Sequence, residues 1–230
     1  MTKIRRLDYG YIVRPGFEYG ADAPRAEPIH GYLLRHNGKL VLFDTGIGGA
    51  AHAELNAHYR PHRVSLPAAL ATAGVSVSDI DLVINCHLHF DHCGGNPLLA
   101  GKPVFVQAAE LALARSANYT LPELADFPGV SYVELTGETE IAPGLWIIPT
   151  PGHTAGHQSL AAVHPDGTVV LAGQAHDFAA EFSASVTGLR AVRDGLAAPL
   201  PAYPAWLERI LAFDPQRVVF AHDASEWTVR

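Results

Sequence analysis

The sequence predicts an α/β fold, and three observations carry that reading. Short apolar runs bounded by Gly, Pro or Asp recur along the chain, as buried strands do. Between them lie fewer segments rich in Ala and Leu, with apolar residues at helical spacing. The histidine-bearing motifs come directly after predicted strands, where a sheet can hold side chains rigidly at one edge.

Taken in order, Gly31–Arg35 and Lys39–Phe43 flank His36-Asn37-Gly38, a hairpin with an Asn-Gly turn. Leu66–Ala73 reads as a helix that Gly74 ends. Asp81–Asn85 is a short buried strand that runs into a histidine cluster, and Val104–Val106 is another strand. Gln107–Ala117 is helical by composition, whereas Asn118 to Gly129, polar and containing Pro122 and Pro128, reads as loop. Trp146–Pro149 is a strand preceding Thr150-Pro151-Gly152-His153. Ser159–Val163 and Thr168–Ala172 flank His164-Pro165-Asp166-Gly167, a second hairpin with an Asp-Gly turn. Phe178 to Pro204 reads as a helix plus a surface excursion. Ala202–Phe213 is a helix stopped before Asp214-Pro215, and Arg217–Phe220 is a strand leading into Ala221-His222-Asp223.

Bulk properties narrow the function. A chain of 230 residues can bury a large core, and residues 1–230 are expected to form a single domain. With 48% hydrophobic and 17% charged residues it is expected to fold and to be soluble. A formal net charge of −7 argues against nucleic acid as a partner. No apolar run is long enough to span a membrane, and the start of the chain does not resemble a secretory signal, so a cytoplasmic location is expected. Two cysteines, Cys86 and Cys93, are too few for a disulfide framework and are expected to be buried thiols.

The chemistry concentrates in Cys86-His87-Leu88-His89-Phe90-Asp91-His92-Cys93-Gly94-Gly95. Imidazole nitrogen and carboxylate oxygen are ligands suited to zinc and related divalent ions. In an extended stretch side chains alternate, so His87 and His89 point the same way and can share one ion. Asp91 and His92 follow a turn and can serve a second ion. Each ion needs further ligands, for which His153 and His222 are the candidates.

These residues carry a resemblance. His87-x-His89-x-Asp91-His92 is similar to the signature of the metallo-β-lactamase superfamily. Phe43-Asp44-Thr45-Gly46, Thr150-Pro151-Gly152-His153-Thr154-Ala155-Gly156-His157 and Phe220-Ala221-His222-Asp223 resemble its other site segments, in the same order. The resemblance implies an αββα sandwich with the metal site at one edge of two mixed sheets. Within the superfamily the segments look most like those of N-acyl homoserine lactonases. That likeness implies a first ion on His87, His89 and His153 and a second on Asp91, His92 and His222, with Zn2+, one or two ions, as the cofactor. It places Asp44 and His157 behind the ligands as supports, with Asp223 in a similar part. His30, His36, His52, His58, His62 and His164 are expected at the surface or on the substrate side. Many members of that family pair as homodimers, so a homodimer is the assembly to expect.

The sequence departs from the family at two points. Where an aspartate bridging both metals is expected the chain has Gly173-Gln174, and where a substrate-contacting tyrosine is expected it has Asp177. A neutral amide at Gln174 should weaken the two-metal state, because two nearby dications repel and a bridging anion offsets that. His176 or Asp177 could then reach in as a substitute. The implied reaction is hydrolysis of a lactone, ester or thioester carbonyl by hydroxide formed from a water whose pKa a metal lowers. Asp91, and alternatively Asp177, would accept and return the proton. The pocket is expected to be lined from the 118–129 loop and the 178–200 region, with Phe127, Phe178 and Phe182 as candidates. Other readings of the same site are a thioesterase or other ester hydrolase, and a metal-dependent binding protein without turnover.

Overall fold

Strong local turn chemistry organises the first sheet. In the computed structural model, which describes residues 4–116, 118–196 and 203–229, β2 (Arg25–His36) and β3 (Lys39–Phe43) pair from Tyr32↔Phe43 to His36↔Lys39. Asn37 and Gly38 turn between them with φ of 49° and 78°, the left-handed backbone that a two-residue hairpin requires. β1 (Arg5–Arg14) pairs antiparallel with β2, and β4 (His62–Arg63) caps the edge. On the other side β5 (Leu82–Ile84), β6 (Pro103–Gln107) and β7 (Ser131–Leu135) run parallel to β3. The order is β4-β1-β2-β3-β5-β6-β7.

The second sheet contains β8 (Thr139–Ala142), β9 (Leu145–Pro149), β10 (Gln158–Ala162), β11 (Thr168–Leu171), β12 (Pro215–Val219) and β13 (Glu226–Thr228), in the order β13-β12-β11-β10-β9-β8. The β10–β11 hairpin is in place, and among the described residues β11–β12 is the one parallel pair of this sheet.

Alternation along each strand sends side chains to two different cores. On β3, Leu40 and Leu42 join a layer with α2 (Leu66–Thr72), α3 (Ala108–Ala114) and α4 (Pro122–Ala125). Val41 and Phe43 face the second sheet, meeting Ile147, Leu160 and Leu171. On that sheet Ala161, Val170 and Val218 point outward, against Phe182, Val186 and Leu189 of α5 (Ala179–Arg193) and Leu207 and Ile210 of α6 (Ala205–Ala212). Burying a side chain such as Phe182 contributes about 1.5–3 kcal/mol, and here it is available on both faces of both sheets. The αββα architecture is therefore as expected.

Several local expectations need correction. β1, β4, β7, β8, β13 and α1 (Ala53–Tyr59) were not anticipated. The expected 118–129 loop contains α4. The ambiguous stretch after Phe178 is the long helix α5, while Ala117 and 197–202 lie outside the described residues. Among the described residues no helix is long and apolar enough to cross a membrane.

The two sheets are joined by backbone where the histidine motifs lie. Gln158 N–H donates to the Cys86 carbonyl (2.8 Å), and His30 N–H donates to that of Ala221 (2.8 Å). Tyr32 Oη donates to the Phe220 carbonyl (2.7 Å). These bonds bring the ends of β5 and β12 and the start of β10, which follows the loop carrying His153, to one edge.

Candidate metal centre

After β5 the chain turns tightly, with the N–H groups of His92 and Cys93 donating to the His89 carbonyl (3.0 and 3.1 Å). Gly94 then packs on the Asp44–Gly48 segment so closely that a Cβ would come 2.0 Å from the Gly48 nitrogen. This path brings His87 Nε2 to 3.0 Å from His89 Nδ1, and the loop after β9 brings His153 Nε2 to 3.1 Å from that same atom. A tetrahedral zinc site, with Zn–N of about 2.0–2.1 Å, has ligand atoms about 3.3 Å apart. A cation between these nitrogens engages three lone pairs at once, whereas ring protons engage them only pairwise. Burial, and then the neighbouring imidazoles, hold the pKa of His87 well below its ordinary value. Burial likewise lowers His89 to about 4 and His153 to about 3, so their lone pairs are free at neutral pH.

The ligand atoms of Asp91, His92 and His222 form a second group, all within 4.8 Å of one another. Asp91 Oδ2 is 3.4 Å from His92 Nε2 and 3.9 Å from His222 Nε2. His92 Nδ1 donates to Asp44 Oδ2 (3.0 Å) and His222 Nδ1 to the Pro28 carbonyl (3.1 Å), which leaves each Nε2 as an acceptor. Both Nε2 atoms are buried without a hydrogen-bond partner. Buried polar atoms without partners are costly, and two of them aimed at one carboxylate fit a cation. Burial pushes His92 down, but the Asp91 and Asp44 carboxylates beside it favour positive charge there and raise its pKa well above the ordinary value; a cation bound at Nε2 takes the place of that second proton and leaves the Nδ1–H on Asp44. Burial would raise Asp91, yet the His92 and His222 rings hold it well below the usual carboxylate range. The electrostatics favour positive charge at this point. The donor set of both groups therefore suits zinc or a similar ion.

Supporting contacts fix these rings. Asp44, in left-handed backbone with φ 59°, accepts from Cys86 N–H (2.8 Å) and Cys86 Sγ (3.0 Å) as well as from His92. His157 lies between Thr150 Oγ1 at Nδ1 (2.8 Å) and the Gln174 N–H, which donates to Nε2 (3.0 Å). It therefore holds the turn that presents Gln174. Asp223 instead caps α5, accepting from Ala179 N–H (2.9 Å). Both cysteines are free and buried. His30 and His36, expected at the surface or on the substrate side, are buried on β2 because that strand is covered on both faces.

Glu110 is a site residue that sequence reasoning missed. Its buried carboxylate accepts from Leu88 N–H (2.8 Å), from Thr154 Oγ1 (2.7 Å) and from the Tyr119 hydroxyl. It ties the two loops that carry His87, His89 and His153. Tyr119 in turn packs on the His89 ring, with centroids 4.6 Å apart.

Gln174 and Asp177 take up the altered positions. Gln174 Nε2 donates to Asp177 Oδ1 (3.0 Å), which leaves the amide oxygen as the group it can offer. Asp177 Oδ2 is held by Arg25 Nη2 (2.5 Å) and Arg14 Nη1 (3.3 Å). Burial would raise this carboxyl, but the Gln174 hydrogen bond and nearby cationic groups lower it. Its oxygens are not among the converging ligand atoms, so the geometry gives Asp177 the orienting of Gln174 rather than a ligand's place. His176 points away, toward Ser185 (3.2 Å) and Trp206.

The two groups border a cavity of about 250 Å³. Its wall combines the aromatic Tyr59, Phe90 and Tyr119 with the polar Arg14, Glu27 and Gln174, and His89, Asp91 and His153 also line it. The 118–129 loop contributes as expected, through Asn118 and Tyr119. The 178–196 stretch does not. α5 packs on the outer face of the second sheet, Phe182 is in its core, Phe127 is buried and Phe178 stacks on Arg25.

Fold and site together define the class: the chain belongs to the metallo-beta-lactamase superfamily, whose sequence pattern matches residues 24–222. Among curated proteins it is similar to an N-acyl homoserine lactonase of Bacillus sp, 34% identical over 145 residues, 58% of this chain and 57% of that protein. It is 31% identical over 157 residues to the N-acyl homoserine lactonase AiiA of Bacillus thuringiensis subsp. kurstaki, 63% of this chain and 62% of that one. The matched stretch thus spans less than two thirds of these relatives. In three dimensions the chain resembles an N-acyl homoserine lactone hydrolase holding the product N-hexanoyl-L-homoserine at its catalytic metal centre. The TM-score is 0.77 at 23% identity, covering 96% of this chain and 93% of the other. AidC, a dizinc quorum-quenching lactonase, gives 0.65 at 17% identity, over 96% and 87%.

Proposed function

We propose that this protein is a metal-dependent hydrolase that opens lactones, with N-acyl homoserine lactones as the substrate class. The observation that carries the reading is the pair of three-residue donor groups, His87/His89/His153 and Asp91/His92/His222, bordering one cavity. Three protein donors per ion leave a coordination position open, as catalytic sites need. Bound zinc would acidify a water and polarise the ester carbonyl. The chain's own residues do the rest. Asp44 holds His92 in the tautomer that leaves Nε2 free. Asp91 lies at the cavity wall, where its carboxylate can take and return the proton of the attacking water. Phe90, Tyr59 and Tyr119 provide an apolar wall for an acyl chain and limit access of bulk water.

The test is hydrolysis of N-hexanoyl homoserine lactone by zinc-loaded protein, beside a linear ester and a thioester of the same acyl chain. Ring opening well above the chelator-treated control is the expected result. Turnover confined to the linear ester or the thioester would move the assignment to another ester hydrolase. Binding of metal and lactone with no turnover of any of the three would support the alternative that Gln174 motivates, a metal-dependent binding protein.

A further inference from the structure

The cavity wall contains a buried acid that neither donor group uses. Glu27 is on β2, next to Pro28, whose carbonyl fixes His222. It is 1% exposed, yet it lines the cavity together with Asp91 and Gln174. Its Oε1 accepts from Arg25 Nε (2.5 Å), with Arg14 Nη1 at 3.5 Å. Its Oε2 is buried and has no hydrogen-bond partner. The ion pairs with Arg25 and Arg14 account for Oε1 but not for Oε2, and a buried oxygen without a donor destabilises the protein.

A second observation gives the oxygen a use. Of the six donors in the two groups bordering the cavity only Asp91 carries a formal negative charge; Asp44 adds one behind His92, on the side away from the ion, and Gln174 contributes none. Two dications in one buried site repel strongly, and every nearby buried anion reduces that repulsion. Arg25 fixes Glu27 through one oxygen and leaves the other free. Asp177 shares the same two arginines and turns the Gln174 amide so that its oxygen is the free end.

We propose that Glu27 supplies the buried negative charge that sustains a cation on Asp91, His92 and His222, in place of the bridging aspartate that Gln174 displaces. The inference rests on the metal-site reading above. Glu27 is a positioning residue: its oxygens are outside the converging donor groups, and it acts on the site through its field.

The experiment is a double-mutant cycle read by metal binding, independent of turnover. Wild type, Glu27→Gln, Gln174→Asp and the double variant are titrated with zinc against a chromophoric chelator, and ions per chain are counted by elemental analysis. Wild type is expected to bind a tight and a weaker ion. Glu27→Gln should keep the tight ion and bind the weaker one about 10–100-fold less well, the usual size of a supporting-residue effect. In the Gln174→Asp background the same change should weaken that ion by only about 3-fold, because the restored aspartate couples to Glu27. Retention of the tight ion shows that the variant is folded. Glu27→Asp, which keeps the charge, should hold the second ion better than Glu27→Gln and guards against a Gln variant that does not fold. An unchanged second ion in Glu27→Gln, equal losses in both backgrounds, or no difference between the Asp and Gln variants overturns the proposal. A wild type that binds one ion overturns it alone, and a wild type that binds none overturns the metal site with it.

Discussion

His30 is buried on β2 with both ring nitrogens unpartnered. Burial, with Arg6 nearby, lowers its pKa from 6.5 to about 4. Between those values the unfolded chain binds the proton and the folded one does not, so stability is full above pH 6.5 and declines as pH falls toward 4. His30→Leu removes both the orphan nitrogens and this linkage. It should stabilise the protein by about 1 kcal/mol at pH 7.5 and by more at pH 5. Thermal melts at the two pH values check this, and an equal gain at both would refute the linkage. Residues such as His87, His89, Asp91 and His92 were legible in the sequence because donors were crowded into one short stretch. Glu27 and Glu110 were not, because each is a single acid outside any cluster of donors. Their partners, Arg14 and the cavity for one, Leu88, Tyr119 and Thr154 for the other, come together only by folding.

Among the elements, hairpins were legible because their turns are local. Asn37-Gly38 and Asp166-Gly167 specify a reversal whatever surrounds them. β1 was missed because its alternation breaks at Gly10, where the register with β2 shifts between Asp8 and Tyr11. α1 was missed because it buries no residue and so shows no apolar stripe. α3 was legible as a helix, yet its use as a platform for Glu110 was not. Glu110→Ala should leave Leu88 N–H and Thr154 Oγ1 without that acceptor, at a cost of about 2–4 kcal/mol. It should also loosen the loops bearing His87, His89 and His153. Urea unfolding measures the first effect and zinc affinity of the tight site the second. A variant of reduced stability with unchanged zinc affinity would confine Glu110 to a structural part.

For the whole molecule, the site is a property of the edge where two sheets meet. Its donors come from the ends of β5, β9 and β12, and from both sheets, so binding a cation closes contacts across that edge. Zinc bound only by the folded state, at a hundred times its Kd, should stabilise the protein by about 2.7 kcal/mol. For a chain of this size that is a melting-point rise on the order of 5–10 °C, reversed by chelator. No shift on zinc addition would show that the donors do not form a folded-state ion site. The sequence by itself marked the α/β class, the hairpins and the crowded candidates His87, His89, Asp91 and His92, since turn chemistry and crowded ligands are local signals; His153 and His222 were candidates only by their places after strands. Tertiary structure alone decided that Asp177 is bound by Arg14 and Arg25, that Gln174 is turned by it, and that Glu27 borders the same cavity. Those relations join residues far apart in the chain, and they exist only once the sheets have packed.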